Sequence, residues 1–175
     1  MQTGTILSRM LKRLTGKKYN HVSVSFDPDL HTLYSFGRKN AYNPWIGGFV
    51  QESLDFGTLK RFSDTRAVVM TLPVDEETYD ELVHKIQEMF KDRDRYYYDS
   101  LGLILACFNV IYKRDRHYYC SSFVRELLVD YGIEDSAQFE SIVQPMHFLN
   151  LPDGNVIYEG RLRDFPGEMV MKNCS

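Results

Sequence analysis

The hydrophobic period changes along this chain, and that change limits the folds open to it. In His21-Val22-Ser23-Val24-Ser25-Phe26 apolar and polar residues alternate strictly, so Val22, Val24 and Phe26 share one face and His21, Ser23 and Ser25 the other. This pattern predicts a half-buried strand. Between residues 75 and 91 the period becomes helical. Tyr79, Leu82, Val83, Ile86, Met89 and Phe90 fall along one face behind an acidic first turn led by Asp75. Both periods in one chain predict an α+β fold with a sheet packed against helices.

The remaining segments extend this reading. Residues 27–31 read as a turn and 32–37 as a second strand, the two strands forming a hairpin in which Leu33 and Ser35 share a face opposite Tyr34 and Phe36. A long loop follows, punctuated by Pro44, Gly47 and Gly48, with a short strand near Phe49–Glu52. Residues 66–74 read as a buried strand. Residues 95–112 are apolar all round, which predicts a loop that continues as a buried helix. Phe123, Val124, Leu127 and Leu128 form a helical stripe ended by Gly132, and residues 155–162 read as a last strand. With 175 residues, 43% of them hydrophobic, and no internal repeat or linker, one domain over 1–175 is expected.

The net charge of -3, with both signs interspersed, gives no global field for nucleic acid, and no nucleic-acid partner is expected. Three cysteines at 107, 120 and 174 have no metal-type spacing and fit a reducing, cytoplasmic setting better than a disulfide framework. No metal or other cofactor is expected. The apolar run Leu101–Tyr112 is too short to span a bilayer, and residues 1–18 lack the apolar core of a secretory signal. Ile6, Leu7, Met10, Leu11 and Leu14 instead predict a short surface helix with Arg9, Lys12 and Arg13 between them. Such a basic amphipathic helix is also a candidate for peripheral membrane contact.

The stretch HYYCSSFVRELLVDYG, residues 117–132, places Cys120 where an aromatic, strand-like run turns into a helix. A thiol there faces unpaired backbone N–H groups and the positive end of the helix dipole, which favour the thiolate. The same groups suit an oxyanion forming beside the sulfur. Cys120 also shares a stripe with Phe123, Val124 and Leu127, so packing is an equally available role. Cys107, in an apolar run, reads as packing and Cys174 as part of an exposed tail. Of five histidines, His21 lies on a strand face bearing only small polar residues, with room for a partner side chain. His31, His84 and His147 read as solvated, and His117 is too close along the backbone to Cys120.

Taken together, YNHVSVSF, then LYSFG, then YYYD, and finally YYCSSFVRELL opening a helix resemble the circularly permuted branch of the NlpC-type papain-like cysteine hydrolases and acyltransferases. In that branch the histidine strand precedes the cysteine helix, as His21 precedes Cys120. The resemblance implies a single permuted papain-like domain with an antiparallel sheet packed against helices. It implies Cys120 as nucleophile at a helix N-terminus, His21 as base, Ser35 in the place of the residue that orients the imidazole, and Tyr98 beside the oxyanion. A hydroxyl at 35 departs from the usual histidine, glutamate or asparagine. The implied activity is a cysteine peptidase or amidase working through a thioester, on a peptide or amide conjugate. The same resemblance leaves open a lipid-directed acyltransferase or esterase, and an inactive binding module in which Trp45 and Phe49 form a contact surface.

Overall fold

The computed structural model describes residues 1, 18–39 and 46–167. The expected N-terminal helix, Trp45 and Cys174 lie outside the described residues, as does the side chain of Cys107.

The fold is α+β. Strands β1 (Leu33–Arg38) and β2 (Gly47–Glu52) form an antiparallel pair. A short helix α1 (Gly57–Arg61) leads to β3 (Arg66–Thr71), followed by the long helix α2 (Glu76–Lys91). Then come β4 (Tyr97–Tyr98), α3 (Ser100–Cys107), β5 (His117–Tyr118), α4 (Cys120–Asp130) and β6 (Asn155–Arg161). The main sheet has the order β1-β2-β4-β5, antiparallel except for β4 and β5, which run parallel, while β3 and β6 pair antiparallel as a second, two-stranded sheet. Among the described residues no helix is long and apolar enough to cross a membrane.

Local chemistry explains where these elements begin. The Asp75 carboxylate accepts the Thr78 backbone N–H at 2.8 Å, satisfying one of the free donors at the start of α2. That helix buries Leu82, Ile86 and Met89 from its apolar stripe. Tyr79 is half in solvent, its hydroxyl donating to the Phe26 carbonyl. Helix α4 buries Phe123, Val124, Leu127 and Leu128 and stops at Gly132, whose φ of 66° is the left-handed conformation that glycine adopts without strain.

Phe123 fixes α4 to the sheet. Its ring centroid stands 5.2 Å from Phe36 of β1 and 5.6 Å from Phe49 of β2, and these two rings stand 5.5 Å apart. All three are nearly inaccessible to water. Each tilted aromatic pair contributes about 0.5–1.5 kcal/mol beyond its buried area. Because Phe123 lies one turn beyond Cys120, this cluster sets the position of the cysteine over the sheet.

Two expectations are corrected. The run from Leu101 is not a buried helix: α3 holds only Ser100–Cys107, and Leu101, Ile104 and Phe108 are exposed, Phe108 by 75%. An apolar pattern on every side does not specify which face is covered. The alternating segment 21–26 does not form a full strand either, and pairs with β1 through the antiparallel bridge Val24 to Tyr34. Its N-terminal donors go elsewhere: the Asn20 and His21 N–H groups bond the Met1 carbonyl at 3.1 and 3.2 Å, and the Val22 N–H bonds the Cys120 sulfur.

Candidate active site

Cys120 is the first residue of α4, buried to 6% exposure. The preceding Tyr119 is extended, with φ −105° and ψ 165°, as a helix N-cap requires. Ser122, three residues on, accepts the Tyr119 N–H at 3.0 Å and donates to the Tyr119 carbonyl at 2.9 Å, closing the first turn. The next serine, Ser121, donates to the Val143 carbonyl at 2.7 Å and ties the helix start to the loop before β6. The thiol is therefore carried on a turn braced from both sides.

His21 hydrogen-bonds the thiol of Cys120. Its Nε2 lies 2.9 Å from Oε2 of Glu52, at the end of β2, so Nδ1 is the ring nitrogen left for the sulfur. Ser23 donates to the same carboxylate oxygen at 2.8 Å. Both side chains of the His21–Glu52 pair are largely shielded, at 13% and 11% exposure. The strand between them leaves space for the imidazole. Gly37 of β1 lies beneath the ring, where a Cβ would stand 3.8 Å from His21 Cε1.

The electrostatics follow from this burial and pairing. Burial disfavours a charged imidazole, but the Glu52 carboxylate, the bonds to Cys120 and Glu52, and the thiolate charge outweigh it, raising His21 to about 10. Burial likewise opposes ionisation of Cys120. The hydrogen bond and charge of His21, with the Val22 N–H, offset this and hold the thiol below its ordinary value. For Glu52 the opposition of burial is again overcome, first by the His21 charge and then by bonds from His21 and Ser23, so the carboxyl lies below its ordinary range. The three groups favour a thiolate–imidazolium pair backed by a carboxylate.

Ser35 does not occupy the orienting place expected for it. Its hydroxyl is fully buried and donates to the Val22 carbonyl at 2.8 Å, tying β1 to the segment that carries His21. A side chain directly beneath the histidine strand is too short and too well bonded to reach the ring. The imidazole partner is Glu52, a residue the sequence reading placed in a short strand without assigning it a role. No local signal in the sequence could have found it, because it is the β1–β2 register, setting Glu52 opposite Leu33, that brings the carboxylate to the histidine.

The phenol of Tyr98 is buried and feels the Cys120 charge. Burial is the main cause pushing this phenol well above its ordinary value, so it remains a protonated donor. Its ring lies over Gly47, where a Cβ would come within 2.6 Å of Tyr98 Cβ. Any other residue at 47 would displace the ring. The remaining histidines have separate surroundings. His117 stacks on Tyr97 with centroids 5.0 Å apart, His84 is exposed, His31 lies in a surface turn and His147 accepts from the Gln144 N–H.

Comparison of the chain with protein-family models, with curated proteins and with solved structures finds no match.

Proposed function

We propose that this protein is a cysteine hydrolase of the permuted papain-like type, acting on an amide or peptide bond. The observation that carries the reading is the continuous line Cys120, His21, Glu52, in which a thiol at a helix start, an imidazole and a buried carboxylate are hydrogen-bonded in sequence. Nucleophilic acyl transfer needs this arrangement of nucleophile, base and orienting acid. The order of histidine segment before cysteine helix supports the permuted papain-like fold as part of the same proposal.

In this reading the Cys120 sulfur attacks the substrate carbonyl carbon, forming a C–S bond and moving the carbonyl electrons onto oxygen. Backbone N–H groups at the start of α4 and the Tyr98 hydroxyl stabilise that oxyanion. Collapse of the tetrahedral species breaks the C–N bond, and the His21 imidazolium gives its proton to the departing amine. Water then attacks the thioester while its proton passes to His21. The C–S bond breaks, releasing the carboxylic acid and restoring the thiolate–imidazolium pair. Glu52 holds the imidazole in orientation and stabilises its charge throughout. The inactive-module alternative rested on a hydroxyl in the orienting place, and a carboxylate at the imidazole supports catalysis instead.

The test is the pH dependence of iodoacetamide labelling at Cys120, read by peptide mass spectrometry in the native protein and in His21→Ala. The expected result is labelling well below pH 8.5, the ordinary midpoint of a free thiol, and a higher midpoint without His21. A Cys120 that resists labelling until the protein is denatured refutes the proposal.

A further inference from the structure

A cavity of about 530 Å³ opens between α3, the segment 110–116 that returns to β5, α4 and residues 141–143. That volume lies within the range of small-molecule binding pockets, roughly 300–1,000 Å³. It is not the thiol site, since Cys120, His21, Glu52 and Tyr98 are not among its lining residues. Tyr119, Ser122 and Glu126 line it from one face of α4, whereas Cys120, Val124 and Leu127 belong to the neighbouring apolar face. An occupant would bridge parts of the chain that are far apart in sequence.

The charged groups of the wall are unequally matched. Asp99 pairs with Arg114 and accepts the Gly102 N–H, Asp115 pairs with Arg116, and Glu126 accepts the Tyr118 hydroxyl. His117 turns Nδ1 to the Asp115 carbonyl, and Ser122 is bonded to the Tyr119 backbone. Each acid in the wall therefore has a partner. Among the described residues Lys113 and Arg125 have no carboxylate partner, although both line the cavity. The half-buried Arg125 guanidinium stands 5.8 Å from the Phe139 ring centroid, a contact that does not neutralise it. Tyr119 adds a half-buried phenol, which stays protonated because burial, then the charges of Cys120 and Asp99, raise it above its ordinary value. A cationic ligand would meet two more cations and no uncommitted acid, whereas an anion pairs with both.

We propose that this cavity binds the phosphate monoester group of a small organic ligand. Lys113 stands in the segment before β5, Tyr119 at the cap of α4 and Arg125 further along that helix, so the three donors come from different directions. A phosphate monoester presents three oxygens in a tetrahedron, one for each donor, where a planar carboxylate presents two. The organic body lies against the apolar remainder of the wall, Val110, Ile111 and Ile142. This site goes beyond the hydrolase reading and does not rest on it, because no step of that chemistry passes through these side chains.

Titration calorimetry on the full chain tests this with phenyl phosphate, inorganic phosphate and phenylacetate, at about pH 7.5, above the second phosphate ionisation at about pH 6. Phenyl phosphate is expected to bind once per chain and about tenfold more tightly than either comparator, because inorganic phosphate lacks the apolar body and phenylacetate the third oxygen. Arg125→Gln and Lys113→Gln should each weaken it by about tenfold, the ratio for one charge-assisted hydrogen bond, and Arg125→Lys should recover part of the loss. Circular dichroism checks that each variant is folded. Lys113 is exposed, so its variant keeps the test decisive if Arg125→Gln does not fold. Phenylacetate binding as tightly as phenyl phosphate overturns the phosphate assignment. No binding of phenyl phosphate at millimolar concentration, or an unchanged affinity in either folded glutamine variant, overturns the site. Neither result touches the labelling of Cys120, and an unreactive Cys120 leaves this site in place.

Discussion

Glu52 meets His21 across an intervening strand. Its Oε2 lies 2.9 Å from the imidazole Nε2, although β1, paired along its length with β2, separates the two segments. Between them β1 carries the small residues Ser35 and Gly37, and a Cβ at Gly37 would stand 3.8 Å from the imidazole Cε1. The carboxylate paired with the imidazole therefore comes from a strand further along the chain than the segment that carries the histidine.

Replacing Glu52 by glutamine keeps the shape and removes the charge. The imidazole then loses the partner that fixes its tautomer, and kcat is expected to fall by on the order of 10³–10⁴, the scale on which a triad carboxylate matters. The midpoint of Cys120 alkylation should rise at the same time. Ser35→Ala should leave that midpoint in place and cost about 1 kcal/mol of stability, the net value of one hydrogen bond, in urea unfolding. The reverse pattern would reassign the orienting role to Ser35.

His21 links stability to alkaline pH. Its folded-state value is raised from 6.5 to about 10, so its stabilising contribution is complete below 6.5 and is lost as pH rises through about 10. The depressed Cys120 thiol acts in the opposite sense, contributing above its ordinary value. A Cys120→Ala background isolates the histidine, with a window that ends below 10 because the thiolate no longer helps to raise it. Melting temperatures of this protein with and without His21→Gln should converge as pH rises from 6.5 toward that end. A constant difference would count against the Glu52 pairing.

Tyr98→Phe removes a donor near the sulfur and leaves the ring over Gly47. The expected effect is a fall in kcat of about 10²–10³, typical for one oxyanion donor, with the Cys120 alkylation profile unchanged. Equal losses in alkylation and turnover would place Tyr98 in support of the thiolate instead.

Asp99 is a structural prediction outside the chemistry. It is buried to 2% exposure, accepts the Gly102 N–H at 2.9 Å as the N-cap of α3, and pairs with Arg114 at 2.6 Å. Asp99→Ala should cost about 1–2 kcal/mol through the lost cap, with a smaller addition from the partly exposed Arg114. Urea denaturation followed by circular dichroism measures it, and a change within error would show that water replaces the carboxylate.

The parts of the site legible in the sequence were those with a local signature. Cys120 stands at a break between an aromatic run and a helical stripe that ends at Gly132, and His21 stands on a face otherwise bearing small polar residues. Glu52 had no such signature, because its role depends on the β1–β2 register that sets it opposite Leu33, and on two small residues of β1. The pairing of β3 with β6 was likewise hidden, since it joins segments separated by about half the length of the chain. For α3 the hydrophobic pattern was visible but carried no direction, and Leu101 and Ile104 face solvent.

The parallel pair β4–β5 joins Tyr97 to His117 and Tyr98 to Tyr118, so the chain leaves the sheet at Asp99 and returns beside its point of departure. The Asp99–Arg114 pair closes the base of that excursion. Tyr98 and Cys120 are thus positioned by the neck of the loop, and its contents are free of that duty. Length, composition and even continuity of the segment around Phe108 can vary without moving the tyrosine relative to the cysteine, which makes this the natural place to insert a tag or a reporter domain.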